Sequence, residues 1–234
     1  MNAPKALLVS GGTGALGRAV VAAALEAGSR VAVPYRSAAE WDALVATTRG
    51  LDRLYGAAAD LASPGEGERF VEAAVAAMGG LDGVAALAGA YAGSGTFEEA
   101  PPGEWDAMIR TNLGTVATLC RASLPHLLKG GGSVVTVGSR TAEAGGAGAA
   151  AYAVSKMGVI ALTRALAAEN RDRGVRFNCI SPGTIDTPAN RAAMPKADTA
   201  AWTPPASLAR TLLFLLSPDS APMTGAVIPV DGRG

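Results

Sequence analysis

The chain has 234 residues, 49% hydrophobic and 17% charged, with 30 glycines. That balance excludes a disordered chain, and the length allows a substantial buried core. Lys+Arg and Asp+Glu both number 20, so no net basic field invites nucleic acid or an anionic membrane.

Ala6 to Ser10 is a short apolar run without alternation, which suits a parallel strand buried on both faces. Gly11, Gly14 and Gly17 follow, three apart, and then a helical pattern through Val20, Val21, Ala24 and Leu25 that ends at Gly28. A second strand runs from Arg30 to Pro34. Strand, glycine turn, helix and strand within about thirty residues match a βαβ unit whose helix N-terminus receives a pyrophosphate. An acidic residue at the end of the second strand would hold the ribose diol of NAD. Arg36 stands at or beside that place, where a guanidinium pairs with a 2′-phosphate and favours NADP.

A helix is expected from Ala38 to Thr48 and a third strand from Leu54 to Ala59, with Asp60 and Leu61 at its end as candidates for the adenine. Ser63, Pro64 and Glu66 read as a capped helix start, and the helix stops at Gly79. Leu81 to Ala88 reads as the fourth strand, and Gly89 to Gly95 as a loop at its carboxyl end, where ligands sit in open α/β sheets. A long helix is expected from Pro101 or Pro102 to about Leu128. Asn112 falls inside it against its propensity, either as a buried amide that kinks the helix or holds a water, or as a surface residue. His126, the single histidine, reads as a capping or surface residue.

Ser133 to Val137 is the fifth strand and leads to Ser139. Tyr152 and Lys156 are four apart, so on a helix they share a face, where an ammonium beside a phenol favours the phenolate. Ser139 adds an orienting hydroxyl. The helix continues through Val159, Leu162 and Leu166, and its alanines at 161, 165 and 168 offer a face for another helix, including one from a second subunit. Val175 to Ser181 is the sixth strand, followed by Pro182 and Gly183. Residues 184–203 lack periodicity and read as a lid or binding loop. A helix begins at Pro204, and Gly225 to Val230 is a last strand, placed at the sheet edge by Pro229. One doubly wound α/β domain of about seven parallel strands, spanning 1–234, accounts for this order.

Cys120 and Cys179 have no metal-like spacing and read as buried thiols of a reducing compartment; no metal site is expected. The N-terminus lacks a signal-peptide pattern and the apolar stretches are interrupted, so a cytoplasmic protein without a membrane span is expected.

Taken together, Ser10 to Gly17, Asp60-Leu61, Ala88-Gly89, Asn112, Ser139, Tyr152 with Lys156, Asn178, Pro182-Gly183, Thr187 and the Gly225…Asp231-Gly232 end resemble the short-chain dehydrogenase/reductase family over essentially the whole chain. The resemblance implies a Rossmann fold and a small-molecule carbonyl or alcohol substrate. It implies Tyr152 as acid/base and Lys156 on the nicotinamide ribose, with Ser139 polarising the substrate oxygen and Asn112 anchoring a relay water. It places Gly11, Thr13, Gly14, Ala15, Leu16 and Gly17 on the cofactor phosphates, and Pro182, Gly183, Ile185 and Thr187 near the carboxamide. NADP(H) is favoured over NAD(H), and a homodimer or homotetramer is expected. Two departures stand out. Ala15 occupies the family's usual second glycine position, and Ala86-Leu-Ala-Gly89 replaces the usual asparagine-rich strand end. With the stretch from Asp186 to Asp198, these features resemble dihydropteridine reductase, an alternative activity. A nucleotide sensor without turnover is a further alternative, one that would not need Ser139, Tyr152 and Lys156 together.

Overall fold

A computed structural model describes residues 3–232. Seven strands, β1 (Ala6–Ser10), β2 (Arg30–Tyr35), β3 (Leu54–Ala58), β4 (Gly83–Ala86), β5 (Gly132–Val137), β6 (Val175–Pro182) and β7 (Val227–Val230), form one sheet. Every pairing is parallel, and the order is β3-β2-β1-β4-β5-β6-β7. The order reverses between β1 and β4, which opens a crevice at their carboxyl ends.

Helices cover both faces. Leu8 of β1 packs in one core with Phe70, Leu119, Val159 and Phe177, while Leu7 and Val9 pack in the other with Val20, Leu25, Leu208 and Leu212. The first core lies under α3 (Pro64–Met78), α5 (Thr115–Leu127) and α7 (Ala150–Glu169); the second lies under α1 (Ala15–Glu26) and α9 (Pro205–Leu216). Successive strand residues point to opposite faces, so a strand covered on both sides is apolar at every position. Pro34 is tolerated in β2 because the pairing to β1 ends at Ala32, one residue short of the proline's neighbour. Pro229 is exposed on β7, an edge strand as expected.

The boundaries depart from expectation where side chains take over backbone bonding. The fourth strand is Gly83–Ala86 rather than Leu81 to Ala88, because the amides of Leu87 and Ala88 donate to Ser10 Oγ at 3.1 and 3.2 Å. The second helix, α2 (Ala38–Val45), stops early; the hydroxyls of Thr47 and Thr48 then donate to the Leu44 carbonyl at 3.1 and 2.7 Å. At the start of α3, Ser63 makes no side-chain cap bond, and Glu66 reaches past it to the amide of Asp60 at 2.8 Å. The long helix expected to Leu128 is interrupted: α4 (Glu104–Met108) runs into a π-helical turn, Ile109–Gly114, and then into α5.

His126 is not a surface residue. Its ring is 9% exposed and meets Glu72 of α3 at 3.0 Å. The segment 184–203 is also more regular than its sequence suggests. It holds α8 (Pro188–Ala193) and a 3-10 turn at Thr199–Ala201, ordered after α6 (Arg140–Glu143) and α7 in the chain. Among the described residues, α7 is long and apolar enough, by length and composition alone, to cross a membrane. It packs here on β5, β6 and the π-helical turn, with Ser155, Lys156 and Thr163 buried.

Candidate active site

The carboxyl ends of the strands open into one cleft of about 1020 Å³. All the candidate residues named from the sequence line it except Asn112. The glycine turn, Arg36 and Asp60-Leu61 line one part of it, and Ser139, Tyr152 and the 182–187 segment another.

The glycine turn is closed by a bond from the Gly14 amide to the Gly11 carbonyl at 3.1 Å. A Cβ at Gly17 would collide with that carbonyl oxygen, so only glycine lets α1 start this close to the turn. The α1 N-cap, Gly14, offers no side-chain cap, and the first turn holds no acid. The first helical amides are therefore open to an anion at the positive end of the helix dipole. These features fit a dinucleotide pyrophosphate.

Beside the glycine turn Arg36 is exposed, with no ion-pair or hydrogen-bond partner among the described residues. Glu40, also lining the cleft, accepts from the Thr13 hydroxyl at 3.1 Å. Arg18 ties this corner together through bonds to the carbonyls of Thr13, Ala43 and Glu40. Tyr35 stacks on Trp41, with centroids 5.1 Å apart. Asp60 is exposed and accepts from the Ala62 amide at 3.0 Å through one oxygen.

In the other part of the cleft, Lys156 is 7% exposed and donates to the Val137 carbonyl at 3.0 Å. Burial pulls its pKa from 10.5 down to about 8. Gly89 is required beside it: a Cβ there would come within 2.8 Å of Asn112 Oδ1 and 3.2 Å of Lys156 Nζ. Tyr152 is not shifted towards phenolate, as the sequence suggested. Burial holds its phenol above the ordinary value; Ser139, through a side-chain hydrogen bond, acts in the opposite direction, and Tyr91 adds a smaller upward push. The Lys156 ammonium is spent on a carbonyl instead.

Asn112 is fully buried in the π-helical turn. Its Oδ1 accepts from the Ala90 amide at 2.7 Å, and its Nδ2 donates to the Ala90 carbonyl at 3.0 Å and to Ser155 Oγ at 2.9 Å. The surface alternative is excluded. The side chain clamps the loop after β4, a task that Ser10 shares in the absence of the asparagine-rich strand end.

Thr187 is the N-cap of α8, its hydroxyl accepting from the Asn190 amide at 3.1 Å, and Asn190 donates to the Ile185 carbonyl at 2.8 Å. Sequence reading missed Tyr91, Glu40, Glu143 and Asn190. Tyr91 meets Tyr152 edge-on, with centroids 4.9 Å apart and an interplanar angle of 68°. Glu143 accepts from Ser181 Oγ, tying α6 to β6. The signal was present for Tyr91, an aromatic residue alone in a glycine-rich loop at a strand's carboxyl end.

A family profile described as Enoyl-(Acyl carrier protein) reductase matches residues 12–232. The chain is 35% identical over 188 residues to the short-chain dehydrogenase/reductase ABA4 of Pyricularia oryzae, covering 74% of this chain and 70% of that protein. It is 32% identical to 2,5-dichloro-2,5-cyclohexadiene-1,4-diol dehydrogenase LinX of Sphingobium indicum, over 98% of this chain and 96% of that one. The crystal structure of levodione reductase superposes with a TM-score of 0.91 at 26% identity, covering 99% of this chain and 98% of its own.

Proposed function

Because the chain belongs to the short-chain dehydrogenase/reductase family, a family of nicotinamide-dependent oxidoreductases, we propose that it interconverts a carbonyl and an alcohol, with Tyr152 as the acid and base. The observation that carries this reading is the meeting of Ser139, Tyr152 and buried Lys156 in the cleft that the glycine turn opens. A nicotinamide bound there would supply or accept the hydride. The phenol, held protonated by burial, donates to the substrate oxygen in reduction. The Ser139 hydroxyl orients that oxygen and eases loss of the phenolic proton. Lys156, with a pKa of about 8, is still mostly protonated at neutral pH and stabilises negative charge that develops nearby. Asn112 acts as a positioning residue. Both donors of its amide are committed to protein atoms, which leaves a relay water only the remaining Oδ1 lone pair or the backbone.

NADP(H) is favoured because Arg36 lies without a partner where a 2′-phosphate would reach, although Glu40 opposes it from the same corner. One cytoplasmic domain carries both cofactor and substrate. The exposed face of α7, with Val154, Met157, Ala161 and Ala165, suits a homodimer, or a homotetramer built from it; light scattering of Met157→Glu would show monomers. The pteridine reading draws no support from these relatives.

The test is fluorescence titration with NADPH, followed by assays of a ketone panel. Tight NADPH binding with ketone-dependent oxidation is expected. Binding without turnover of any carbonyl or alcohol would leave a nucleotide sensor instead.

A further inference from the structure

We propose that the substrate is a neutral carbonyl compound built on an apolar ring, and that Tyr91 selects for the ring. This rests on the oxidoreductase reading above and specifies what that site accepts.

The first observation concerns charge. Among the described residues lining the cleft, the charged side chains are Arg36, Glu40 and Asp60 on the side of the glycine turn and Lys156 at depth. Tyr91 and Ser139 meet Tyr152, and the rest of the lining, with Thr141, Ala193 and Met194, is neutral. The arginines beside the mouth are committed. Arg191 holds Asp186 in two bonds of 2.6 and 2.8 Å. Arg140 bonds both oxygens of Asp231 at 3.1 and 3.2 Å and reaches Glu143 at 3.5 Å. Lys156 keeps its charge, but it is buried at depth on the Val137 carbonyl and serves the reacting oxygen. A carboxylate or phosphate carried elsewhere on the substrate would lose water here and find no uncommitted cation at the mouth.

The second observation concerns shape. Tyr91 is 67% exposed, yet it is not loosely placed. Its ring meets the Tyr152 ring edge-on, and its hydroxyl lies over Gly93, where a Cβ would come within 2.5 Å of it. A large aromatic residue is thus held against the proton donor with most of its surface uncovered. Met194, 40% exposed, lines the same cleft from the loop after β6. Two uncovered apolar groups, one flat and one pliable, suit a ring that places its carbonyl at Tyr152. A flexible open chain gains less from a flat wall, because more rotamers must be frozen on it.

The test compares methyl 4-oxocyclohexanecarboxylate with 4-oxocyclohexanecarboxylate, which differ in charge, and both with an open-chain methyl ketone of similar size. Binding to the NADPH-loaded enzyme is followed by saturation-transfer NMR, and turnover by NADPH oxidation. The neutral ring should bind and react at least about tenfold better than the carboxylate. Tyr91→Ala should raise its KM about tenfold and affect the open-chain ketone less, and Tyr91→Phe should restore the wild-type values. Equal or tighter binding of the carboxylate, or equal losses for ring and chain in Tyr91→Ala, would overturn the proposal. Selective binding of the neutral ring without oxidation of NADPH would uphold it and refute the oxidoreductase reading instead.

Discussion

The Asn112 amide donates to the Ser155 hydroxyl at 2.9 Å, and that hydroxyl donates in turn to the Tyr152 carbonyl at 2.7 Å. The π-helical turn is thereby joined to the first turn of the helix that carries the phenol, and through Ala90 to the loop that carries Tyr91. Asn112→Leu would take both side-chain bonds from the exposed Ala90 backbone, which water can replace, and leave the buried Ser155 hydroxyl only its bond to the Tyr152 carbonyl. Loss of that buried bond and of the tie to the loop is expected to cost roughly 1–2 kcal/mol in urea melts. The loosened loop should also lower kcat/KM by roughly 10- to 100-fold. A variant that melts like the wild type would remove the clamp from this account.

Tyr152→Phe keeps the ring contact with Tyr91 and removes the exchangeable proton. We expect kcat to fall by about 10²–10⁴-fold, with NADPH affinity changed little by fluorescence titration. Ser139→Ala should lower kcat as well, through loss of the hydroxyl that orients the substrate oxygen. Turnover near the wild-type rate in Tyr152→Phe would refute its assignment.

Cofactor choice is a contest between Arg36 and Glu40 at one corner of the cleft. Arg36→Asp should weaken NADPH relative to NADH by about 10- to 100-fold, the size of one or two charge-assisted bonds. Glu40→Gln should move the ratio the other way, since a like charge is removed from the neighbourhood of the phosphate while a side chain able to bond Thr13 remains. The ratio of the two dissociation constants decides both cases.

Lys156 ties stability to pH. Its folded pKa of about 8 lies below the ordinary 10.5, so between those values the unfolded chain holds a proton that the folded one has released. Stability contributed by this group therefore rises with pH across that window and is flat above it. The gain is on the order of 3 kcal/mol. It is read as the difference between wild type and Lys156→Met in urea melts from pH 7 to 11. Cys179 senses the Lys156 charge, so it is replaced by serine in both proteins. A difference that stays constant with pH would mean the ammonium is solvated in the native state.

Glu143 accepts from Ser181 at one end of α6, while its amide donates to the Ser139 carbonyl at 3.1 Å. It thus positions Ser139 from β6. Glu143→Ala should lower kcat roughly tenfold with KM changed less, and Glu143→Gln, which can still accept from Ser181, should recover most of it. Equal losses in both variants would point to charge rather than position.

The fold was legible because its signals are local and repeated. Ala6 to Ser10 reads as a buried strand from its lack of alternation, and the glycines at 11, 14 and 17 announce the turn. Pro229 marks the edge. What escaped depends on partners distant in the chain. The end of β4 is set by the Ser10 hydroxyl, 77 residues away from Leu87. The π-helical turn is tied to Ala90 and Ser155 by an amide that composition leaves ambiguous. The direction of the Tyr152 shift also escaped: a spacing of four puts a lysine on the same face but does not say that its ammonium turns to Val137. Most of the candidate residues gather in the cleft, whereas the side chains that hold them, such as Glu143, carry no motif.

Pro229 has a consequence beyond naming the edge. Ala226 and Val230 turn their carbonyls to β6, accepting from Cys179 and Gly183 at 2.8 and 3.2 Å. Backbone groups alternate sides along a strand, so Val227 and Pro229 face outward. The outer rim of this short strand therefore offers one amide, with a pyrrolidine ring where the second would be. A strand from another copy laid along it would find no regular ladder. The sheet is a ribbon that does not grow from this side, and any assembly of copies there must be made by side chains meeting across faces.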